Sequence, residues 1–246
     1  MKNLVLDINA DIGEGIGNEH LIMPYISSCN IACGGHAGDE ATMKEVVQLA
    51  KKHQVKIGAH PSFPDKVNFG RKVMNMPCVT LYASIKTQIK SLLAILNEAH
   101  LPLHHVKLHG ALYNQAAIDN KTANTVIEVM KSLMLPAKLY VPYNSVIAKL
   151  AIEQDIPIMY EAFADRNYND DLTLVSRNEP NALIEDSDKM FNHVFEMFST
   201  KKVKTVTGNY KTIKAETFCV HGDHPNAPKL IKNLSVRLAE KGIKVR

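Results

Sequence analysis

The sequence predicts an α/β fold, most simply a parallel β/α barrel, and three observations support this prediction. Six short apolar or β-branched runs each end abruptly in polar, reactive side chains, and helical patterns lie between them. Gly13, Gly15 and Gly17 follow the first run with the spacing G-x-G-x-G, which lacks the final offset of a dinucleotide-binding turn. Strands that alternate with helices form a parallel sheet, and seven or eight such units favour closure into a barrel over an open sheet.

The elements follow from local periodicity. The predicted strands, including a seventh that ends in Pro142, are Leu4–Asp7, Asn30–Cys33, Val55–Ala59, Val106–Leu108, Lys138–Val141, Ile156–Tyr160 and Phe218–Val220. The predicted helices, with apolar residues three and four apart, are Glu40–His53, Leu81–His100, Thr122–Met134, Ser145–Gln154, Ile184–Phe198 and Lys229–Lys241. Asp39 is placed to cap the first of them. Val203–Lys214 breaks the alternation, because two strand-like runs flank Gly208-Asn209, and it predicts a small β-hairpin before the last strand.

Composition limits the class of protein. The 246 residues, 46% of them hydrophobic, suffice for one domain over residues 1–246 with a full core. The net charge of +4 comes from 29 basic and 25 acidic residues, with lysines mostly in helix-like segments, so we expect no nucleic-acid partner. No apolar run approaches the roughly 20 residues of a membrane span, and Asp7 interrupts the N-terminus too early for a signal peptide. We therefore expect a cytoplasmic protein in which Cys29, Cys33 and Cys219 are buried and reduced.

The first strand leads directly into candidate chemistry. In an extended backbone Asp7, Asn9 and Asp11 point to one side, which in a barrel is the inside. Charged groups there are costly unless they are paired, bind a metal or take part in catalysis. We expect Asp7 to form hydrogen bonds in the barrel mouth, and Asp11 and Glu14, at the strand end, to be functional.

Histidines follow the next three strands. His36 is flanked by glycines, which allow a ligand to approach the backbone closely. His60 precedes a rigid proline, and Arg71 follows with a guanidinium suited to a carboxylate or phosphate. Lys107 and His109 are two residues apart and so lie on one face of a strand. Lys107 is either an anion clamp or the partner of an acid such as Asp11 or Glu161.

The last two strands add further polar groups. Glu161, Asp165 and Arg166 follow the sixth strand, and His221 and Asp223 follow the last. The other histidines of interest fall in helical patterns or at helix ends, and we expect them on the surface: His53, His100, His104, His105 and His193.

Taken together, these segments resemble the LamB/YcsF family, whose members act as the A-type component of bacterial ATP-dependent 5-oxoprolinase. The matching stretches lie in order from residue 7 to 223: DINADIGEG, SCNIACGGHAGD, IGAHPSFPD with FGR, VKLHGALYN, EAFADRNY, LVSR and CVHGD. The resemblance implies a seven-stranded β/α barrel of the glycosidase/deacetylase type. Two positions depart from it: Gly35 stands where a bulkier aromatic is expected, and Leu108 where proline is expected.

The resemblance also implies an activity, ring opening of 5-oxo-L-proline to L-glutamate coupled to ATP hydrolysis, with Mg²⁺ accompanying ATP and two further subunits of B and C type. The sequence has no G-x-x-x-x-G-K-[ST] phosphate loop, so ATP binds by another mode or largely through the partners. The expected catalytic residues are Asp11, Glu14, His36, His60, His109, Glu161, Asp165 and His221, with Asp11 or Glu14 activating water. The expected substrate-binding residues are Asn9, Asn30, Arg71, Lys107, Tyr113, Arg166 and Asp223.

Two other functions are compatible with the sequence. One is a metal-dependent deacetylase or amidohydrolase that acts alone on a carbohydrate or cyclic amide. Its divalent metal would be held by His36, His60, His109, His221 and Asp11, although these lack a compact H-x-x-x-H spacing. The other is a non-catalytic sugar or lactam carrier, which would need few ionisable groups in its pocket.

Overall fold

A closed barrel of seven parallel strands forms the centre of the computed structural model, which describes residues 4–223 and 226–246. In chain order the strands are β1 (Leu4–Ile12), β2 (Ser28–Ala32), β3 (Lys56–His60), β4 (His105–Lys107), β5 (Lys138–Pro142), β6 (Ile158–Phe163), β7 (Lys202–Lys204), β8 (Tyr210–Thr212), β9 (Thr217–His221) and β10 (Ile243–Val245). The barrel order is β1-β2-β3-β4-β5-β6-β9, and β9 pairs with β1 to close it. The predicted seven-stranded barrel is confirmed.

The two remaining parts of the sheet structure lie outside the closed barrel. β7 and β8 form the antiparallel hairpin predicted before the last barrel strand, with shorter strands than expected. β10 was not predicted, and it pairs with the first residues of β1, from Leu4 to Leu6, below the point where β9 joins that strand.

Helices surround the barrel. They are α1 (Glu19–Ile22), α2 (Glu40–His53), α3 (Cys78–Glu98), α4 (Gly110–Ile118), α5 (Asn120–Leu133), α6 (Val146–Glu153), α7 (Ser187–Thr200) and α8 (Ala227–Glu240). The six predicted helices are present within a few residues of their expected ends, and Asp39 caps α2 by accepting a hydrogen bond from the Thr42 backbone N–H at 2.8 Å. The sequence reasoning missed α1 and α4, both of which are short.

The apolar core lies between the barrel and this ring of helices. Outward-facing strand residues such as Ile8, Ile57 and Phe218 are almost completely buried against the helices. The periodic face of α3 packs there too, and its five predicted residues are buried: Leu81, Ile85, Ile89, Leu92 and Leu96. Cys29, Cys33 and Cys219 are buried free thiols, as expected. Among the described residues, no helix is both long and apolar enough to cross a lipid bilayer.

The inside of the barrel is polar. Asp7 lies at its N-terminal end, where it accepts hydrogen bonds from Ser28 Oγ at 2.9 Å and Thr217 Oγ1 at 2.7 Å. Lys56 Nζ lies 3.3 Å from the same carboxylate. The predicted hydrogen-bonding role of Asp7 is therefore confirmed, but its predicted position in the barrel mouth is wrong, because the mouth lies at the opposite end of β1.

The prediction that His105 lies on the surface is also wrong. It is fully buried on β4 inside the barrel, where its Nε2 lies 2.6 Å from Asn30 Oδ1 and its ring stacks on Tyr140. The strand begins one residue earlier than Val106, the first apolar residue of the run, so the alternation that places Lys107 inside also places His105 there.

The other histidines assigned to the surface differ in exposure. His100 is exposed, as predicted, whereas His53, His104 and His193 are half-buried. Burial lowers the pKa of His193 to about 4, because the inner side of α7 removes its ring from water. A helical pattern locates such a histidine on an element without showing which side of the helix it occupies.

Candidate active site

A cavity of about 750 Å³ opens at the C-terminal ends of the barrel strands. Nine of the expected site residues line it, namely Asp11, His60, Arg71, Lys107, His109, Tyr113, Glu161, Arg166 and His221. Tyr143, Asn144 and Arg177 lie among the residues contributed by the surrounding loops. Binding and catalytic groups of β/α barrels collect at this end because the loops that follow every strand meet there. Separate segments of the chain thus contribute to a single pocket.

A buried charged cluster crosses the base of this cavity. Lys107 Nζ lies 2.7 Å from Asp11 Oδ1 and 3.3 Å from Glu161 Oε1, and all three side chains are almost fully buried. Burial alone opposes charge on Lys107, but Asp11 and Glu161 overcome it and raise the lysine pKa well above its usual value. This geometry resolves the two alternatives for Lys107, which is paired with both acids.

The two acids respond differently to the same surroundings. Burial opposes ionisation of Asp11, but the positive charges of His60 and Lys107 outweigh it and hold the aspartate pKa well below its usual value. Burial raises the pKa of Glu161, with Asp11 adding to the effect and Lys107 opposing it. Glu161 Oε2 is buried without a hydrogen bond of ordinary geometry in the described ranges, and the Tyr113 hydroxyl is the polar group close enough to interact with this carboxyl. One carboxylate is thus kept charged, and the other has a free oxygen and a raised proton affinity.

Asn9 and Asn30 support these acids from below. The Asn9 amide donates to Glu161 Oε1 at 2.9 Å, and the Asn30 amide donates to Asp11 Oδ1 at 2.7 Å. Both asparagines are completely buried and lie beneath the cavity. We expected them to bind substrate, whereas here their amides hold the carboxylates. Asn9 precedes Asp11 by two residues on β1, and Asn30 pairs with Asp11 from β2.

A second cluster consists of Glu14, His36, His60 and His109, whose ligand atoms all lie within 4.8 Å of one another. Glu14 Oε1 lies 2.9 Å from His36 Nε2 and 3.5 Å from His109 Nδ1. His109 Nδ1 lies 3.0 Å from His60 Nε2, and the rings of His36 and His109 stack with centroids 3.6 Å apart. We name these four residues the Glu–His cluster.

Burial sets the charge of this cluster. Burial and the charge of His60 lower the pKa of His36 to about 2, and burial followed by His36 and His60 lowers the pKa of His109 well below its usual value. Burial also raises the pKa of Glu14, and the negative charge of Asp11 adds to this effect. His36 and His109 are therefore neutral imidazoles at neutral pH.

A tight loop after β3 packs against these rings. Phe69 has a left-handed φ of 54°, where a non-glycine residue is strained, and its carbonyl accepts from His109 Nε2 at 2.9 Å. Gly70 follows with φ 62°, and a Cβ there would lie 2.9 Å from His109 Cδ2 and 3.0 Å from His36 Cβ. Only glycine at position 70 allows this loop to approach both histidines.

Asp165 and His221 form a separate pair on another side of the pocket. Asp165 Oδ2 lies 2.9 Å from both the Nδ1 and the backbone nitrogen of His221. Burial opposes ionisation of Asp165, but the charge and hydrogen bonds of His221 lower its pKa. Both residues are near the cavity, as predicted, but His221 is not part of the Glu–His cluster.

The expected substrate-binding cations have internal partners. Arg71 is bound to the carboxylate of Asp223. Arg166 lines the cavity but is buried, and it donates to the backbone carbonyls of Ala182, at 3.3 Å, and Val175. Its evident role is to hold the long loop that forms one wall of the pocket.

Arg177 was not among the predicted site residues, although it lies in the LVSR segment on which the resemblance partly depends. It lines the cavity, and its Nη1 is 3.9 Å from Asp223 Oδ2, a weaker contact than that of Arg71. Tyr113, which was predicted, lines the cavity with a buried hydroxyl, and burial and Glu161 raise its pKa well above the usual value. Nothing in the spacing around Arg177 distinguishes it from a surface residue.

The two departures from the family pattern have structural counterparts. A Cβ on Gly35 would lie 2.3 Å from Gln88 Oε1 and 2.4 Å from Ser62 Oγ. Gln88 accepts from the Ser62 backbone N–H and donates to the Ser62 carbonyl, so its amide fills the space beside Gly35. Leu108 is buried between β4 and the cavity. Both positions retain tight packing without altering a reactive group.

Comparison with known proteins agrees with this architecture. The family model described as "LamB/YcsF family" matches residues 6–246. The chain is similar to the crystal structure of the lactam utilization protein from Thermus thermophilus, with a TM-score of 0.93 and 36% sequence identity over 99% of each chain.

More distant similarities are to a carbohydrate esterase and a deacetylase. The family 4 carbohydrate esterase from Streptomyces lividans, in complex with acetate, has 11% identity and a TM-score of 0.49, covering 99% of this chain and 92% of that chain. A T48 deacetylase with substrate has 12% identity and a TM-score of 0.47, covering 99% and 88%. At these values neither protein bears on the chemistry of the cavity.

Proposed function

The chain belongs to the LamB/YcsF family, and on this premise we propose that it is a hydrolase of cyclic amides, the A-type component of an ATP-dependent 5-oxoprolinase. Its substrate is 5-oxo-L-proline and its product L-glutamate. ATP, with Mg²⁺ as its counterion, drives the reaction, and two further subunits of B and C type complete the enzyme. The name of the Thermus thermophilus relative, a lactam utilization protein, supports a cyclic amide as substrate.

The observation that carries the proposal is the charged cluster of Asp11, Lys107 and Glu161 at the base of the cavity. Opening a lactam requires a base for the attacking water, a positive group beside the carbonyl oxygen and an acid for the departing nitrogen. Asp11, Lys107 and Glu161 provide groups of these three kinds, with the lysine within 3.3 Å of both acids. A carrier protein would have no need to bury them in this way.

The roles follow from the charge states. Asp11 is kept ionised, so it accepts the proton of water through Oδ2, the oxygen that Asn30 and Lys107 leave free. Lys107 stabilises negative charge that develops on the substrate oxygen. Glu161 has a raised pKa and a free Oε2, so it donates a proton to the nitrogen when the ring C–N bond breaks.

ATP makes the ring opening favourable. Transfer of its terminal phosphoryl group to the lactam oxygen activates the carbonyl carbon, and ADP leaves. Addition of water and breakage of the C–N bond then give the free amine and an acyl phosphate, which a second water hydrolyses to the carboxylate and phosphate. A cavity of about 750 Å³ is larger than a single five-membered ring requires, which leaves space for a phosphoryl donor beside it.

The test is glutamate release from 5-oxoproline, measured with this chain alone, with its two partner subunits, and with or without ATP. We expect release only with partners and ATP. Asp11→Asn should reduce turnover of the complex by about 10²–10⁴-fold. Asp7→Asn is the matched control, since Asp7 lies on the same strand at the far end of the barrel, and it should change turnover per folded molecule only a few-fold.

Two results would contradict the proposal. One is a fully assembled complex that releases no glutamate. The other is an Asp11→Asn variant with normal turnover.

The Glu–His cluster favours a second candidate, a hydrolase that opens an amide alone without ATP. Release of product by the isolated chain in the absence of nucleotide would support this second function instead.

A further inference from the structure

Two buried histidines of the Glu–His cluster, His60 and His109, face each other through one ring nitrogen each. His60 Nδ1 lies 2.8 Å from the Lys107 carbonyl and His109 Nε2 lies 2.9 Å from the Phe69 carbonyl. A carbonyl oxygen only accepts, so both of these ring nitrogens must carry the hydrogen. In neutral rings the other two nitrogens, His60 Nε2 and His109 Nδ1, are then bare lone pairs, and they lie 3.0 Å apart.

Two lone pairs at this distance repel unless a cation lies beside both of them. Backbone carbonyls that accept from the far nitrogen are also the usual outer partners of metal-binding histidines, because they fix the tautomer and aim the lone pair at the ion. Both rings are buried, so bulk water does not separate the two nitrogens. The pair therefore has the geometry of two metal ligands.

Glu14 and His36 complete the same set of donors. Glu14 Oε1 is 3.5 Å from His109 Nδ1 and 2.9 Å from His36 Nε2, and the His36 Nδ1 atom is buried without a hydrogen-bond partner in the described part of the chain. If Nε2 carries the proton that Glu14 accepts, Nδ1 is left as a buried lone pair. If Nδ1 carries the proton instead, the lone pair of His36 Nε2 points at a lone pair of the Glu14 carboxylate.

We propose that Glu14, His36, His60 and His109 bind one divalent transition-metal ion, with Zn²⁺ the best match to three imidazole nitrogens and one carboxylate oxygen. Zinc binds these donors at about 2.0–2.2 Å, which places tetrahedral ligands roughly 3.3–3.5 Å apart. The separations of 2.9, 3.0 and 3.5 Å between these donor atoms are close to this value, and no pair exceeds 4.8 Å. Small side-chain movements would close the set around one ion.

This set differs from the one expected from the sequence, which contained Asp11 and His221 and lacked Glu14. Asp11 Oδ1 is already occupied by Asn30 and Lys107, and His221 is held by Asp165. Glu14 contacts the histidines instead, and Gly13, with a left-handed φ of 73°, separates it from the end of β1. The ion would lie beside Asp11, whose Oδ2 is 3.4 Å from His60 Nε2, and would serve to lower the pKa of a bound water.

The binding site stands on geometry alone, whereas this role in water activation rests on the proposed function. The test measures binding without substrate. Purified full-length protein is stripped with a chelator and dialysed, then loaded with Zn²⁺ and analysed for metal content. Co²⁺ replaces Zn²⁺ in a parallel titration, because its visible absorption reports a four-coordinate nitrogen–oxygen site.

We expect one equivalent of Zn²⁺ per chain and a higher melting temperature for the loaded protein. His109→Ala should weaken binding by at least about 100-fold, and Glu14→Gln, which preserves the side-chain shape, serves as a second variant if His109→Ala does not fold. His221→Ala is the matched control, a histidine in the same cavity outside the cluster, and it should retain full stoichiometry.

Wild-type protein that binds no zinc above background would overturn the metal site and leave a shared proton between His60 and His109. Equal zinc binding by wild type and both cluster variants would also overturn it, as would loss of zinc in His221→Ala alone. Failure of the proposed function gives a different pattern, in which zinc binds with one equivalent but the assembled complex releases no glutamate. Glutamate release by protein shown to be metal-free would overturn the role of the ion in water activation, whereas the binding site itself is decided by the zinc measurements.

Discussion

Replacement of Lys107 by methionine tests whether the charged cluster at the base of the cavity is a buried ion pair. The substitution preserves the apolar stem and removes the ammonium, which leaves Asp11 and Glu161 without their shared cation. The Nζ–oxygen separations of 2.7 and 3.3 Å correspond to roughly 5–6 kcal/mol of direct attraction each at an effective dielectric constant of about 20. Relief of the desolvation cost of Lys107 offsets part of this, so we expect a loss of about 3–5 kcal/mol in the free energy of unfolding.

The assay is urea-induced unfolding of the wild type and variant, followed by circular dichroism from pH 5 to pH 8. Lys107 lowers the pKa of both carboxyls, so without it they take up protons more readily in the folded state. Charge on the acids is what makes the variant unstable, so its deficit should be greatest at pH 8 and shrink toward pH 5.

Lys56→Met is the matched control. Lys56 also contacts an aspartate of β1, Asp7, at 3.3 Å, but its side chain is 41% exposed. Solvent screens this pair, so its loss should cost less than about 1 kcal/mol. If Lys107→Met proves no more destabilising than Lys56→Met, or if its deficit grows as the pH falls, the assignment of Lys107 as the cation of a buried cluster is wrong.

Three further outcomes are expected. Gly35→Ala should lower the free energy of unfolding by about 1–3 kcal/mol through overpacking against Gln88, and the double variant with Gln88→Ala should recover part of this loss, both measured by chemical unfolding. An unchanged free energy of unfolding in Gly35→Ala would contradict this packing. Asp165→Asn should cost stability at pH 7. Its deficit should shrink as the pH falls below about 4 and through the lowered folded pKa, because a carboxyl whose pKa is lowered on folding stabilises fully above its unfolded pKa and no longer below its folded pKa. A deficit independent of pH would show that ionisation of Asp165 does not contribute to stability. Arg177 lines the cavity with a guanidinium suited to the carboxylate of 5-oxoproline, the substrate in the proposed function. Arg177→Met should therefore raise the KM for 5-oxoproline in the assembled complex about 10–100-fold with an unchanged melting temperature; an unchanged KM would show that Arg177 does not bind the substrate.

The polar groups that meet at the cavity were largely predictable from the sequence. Asp11, His60, Lys107 and His109 each come at or just after an apolar run, and parallel strands carry such residues to the same end of a barrel. The side of the strand was also predictable, because alternation in β1 places Asp7, Asn9 and Asp11 on one face. Periodicity likewise located the buried face of α3, since residues three and four apart in a helix share one side.

The assignment of His105 and Asn30 shows where local pattern was insufficient. His105 precedes the first apolar residue of β4 and looks like part of a polar connection, yet β3 and β5 pair on both sides of it and enclose it. Asn30 contacts the Asp11 carboxylate because it is in register with Asp11, and this register is set by pairing between strands. Sequence periodicity does not specify how deep a residue lies in the barrel or where a strand of only three residues begins and ends.

From the sequence alone came the fold class, the end of the barrel that holds the site and the kinds of side chain in it, because these depend on local alternation and on the common direction of parallel strands. Only the tertiary structure decided the partners: Lys107 with Asp11 and Glu161, His221 with Asp165, and Glu14 with three histidines. Partners are decided by strand register, loop conformation and distances of a few ångströms between residues far apart in the chain. Those distances determine which carboxyl is charged and which donors can share an ion.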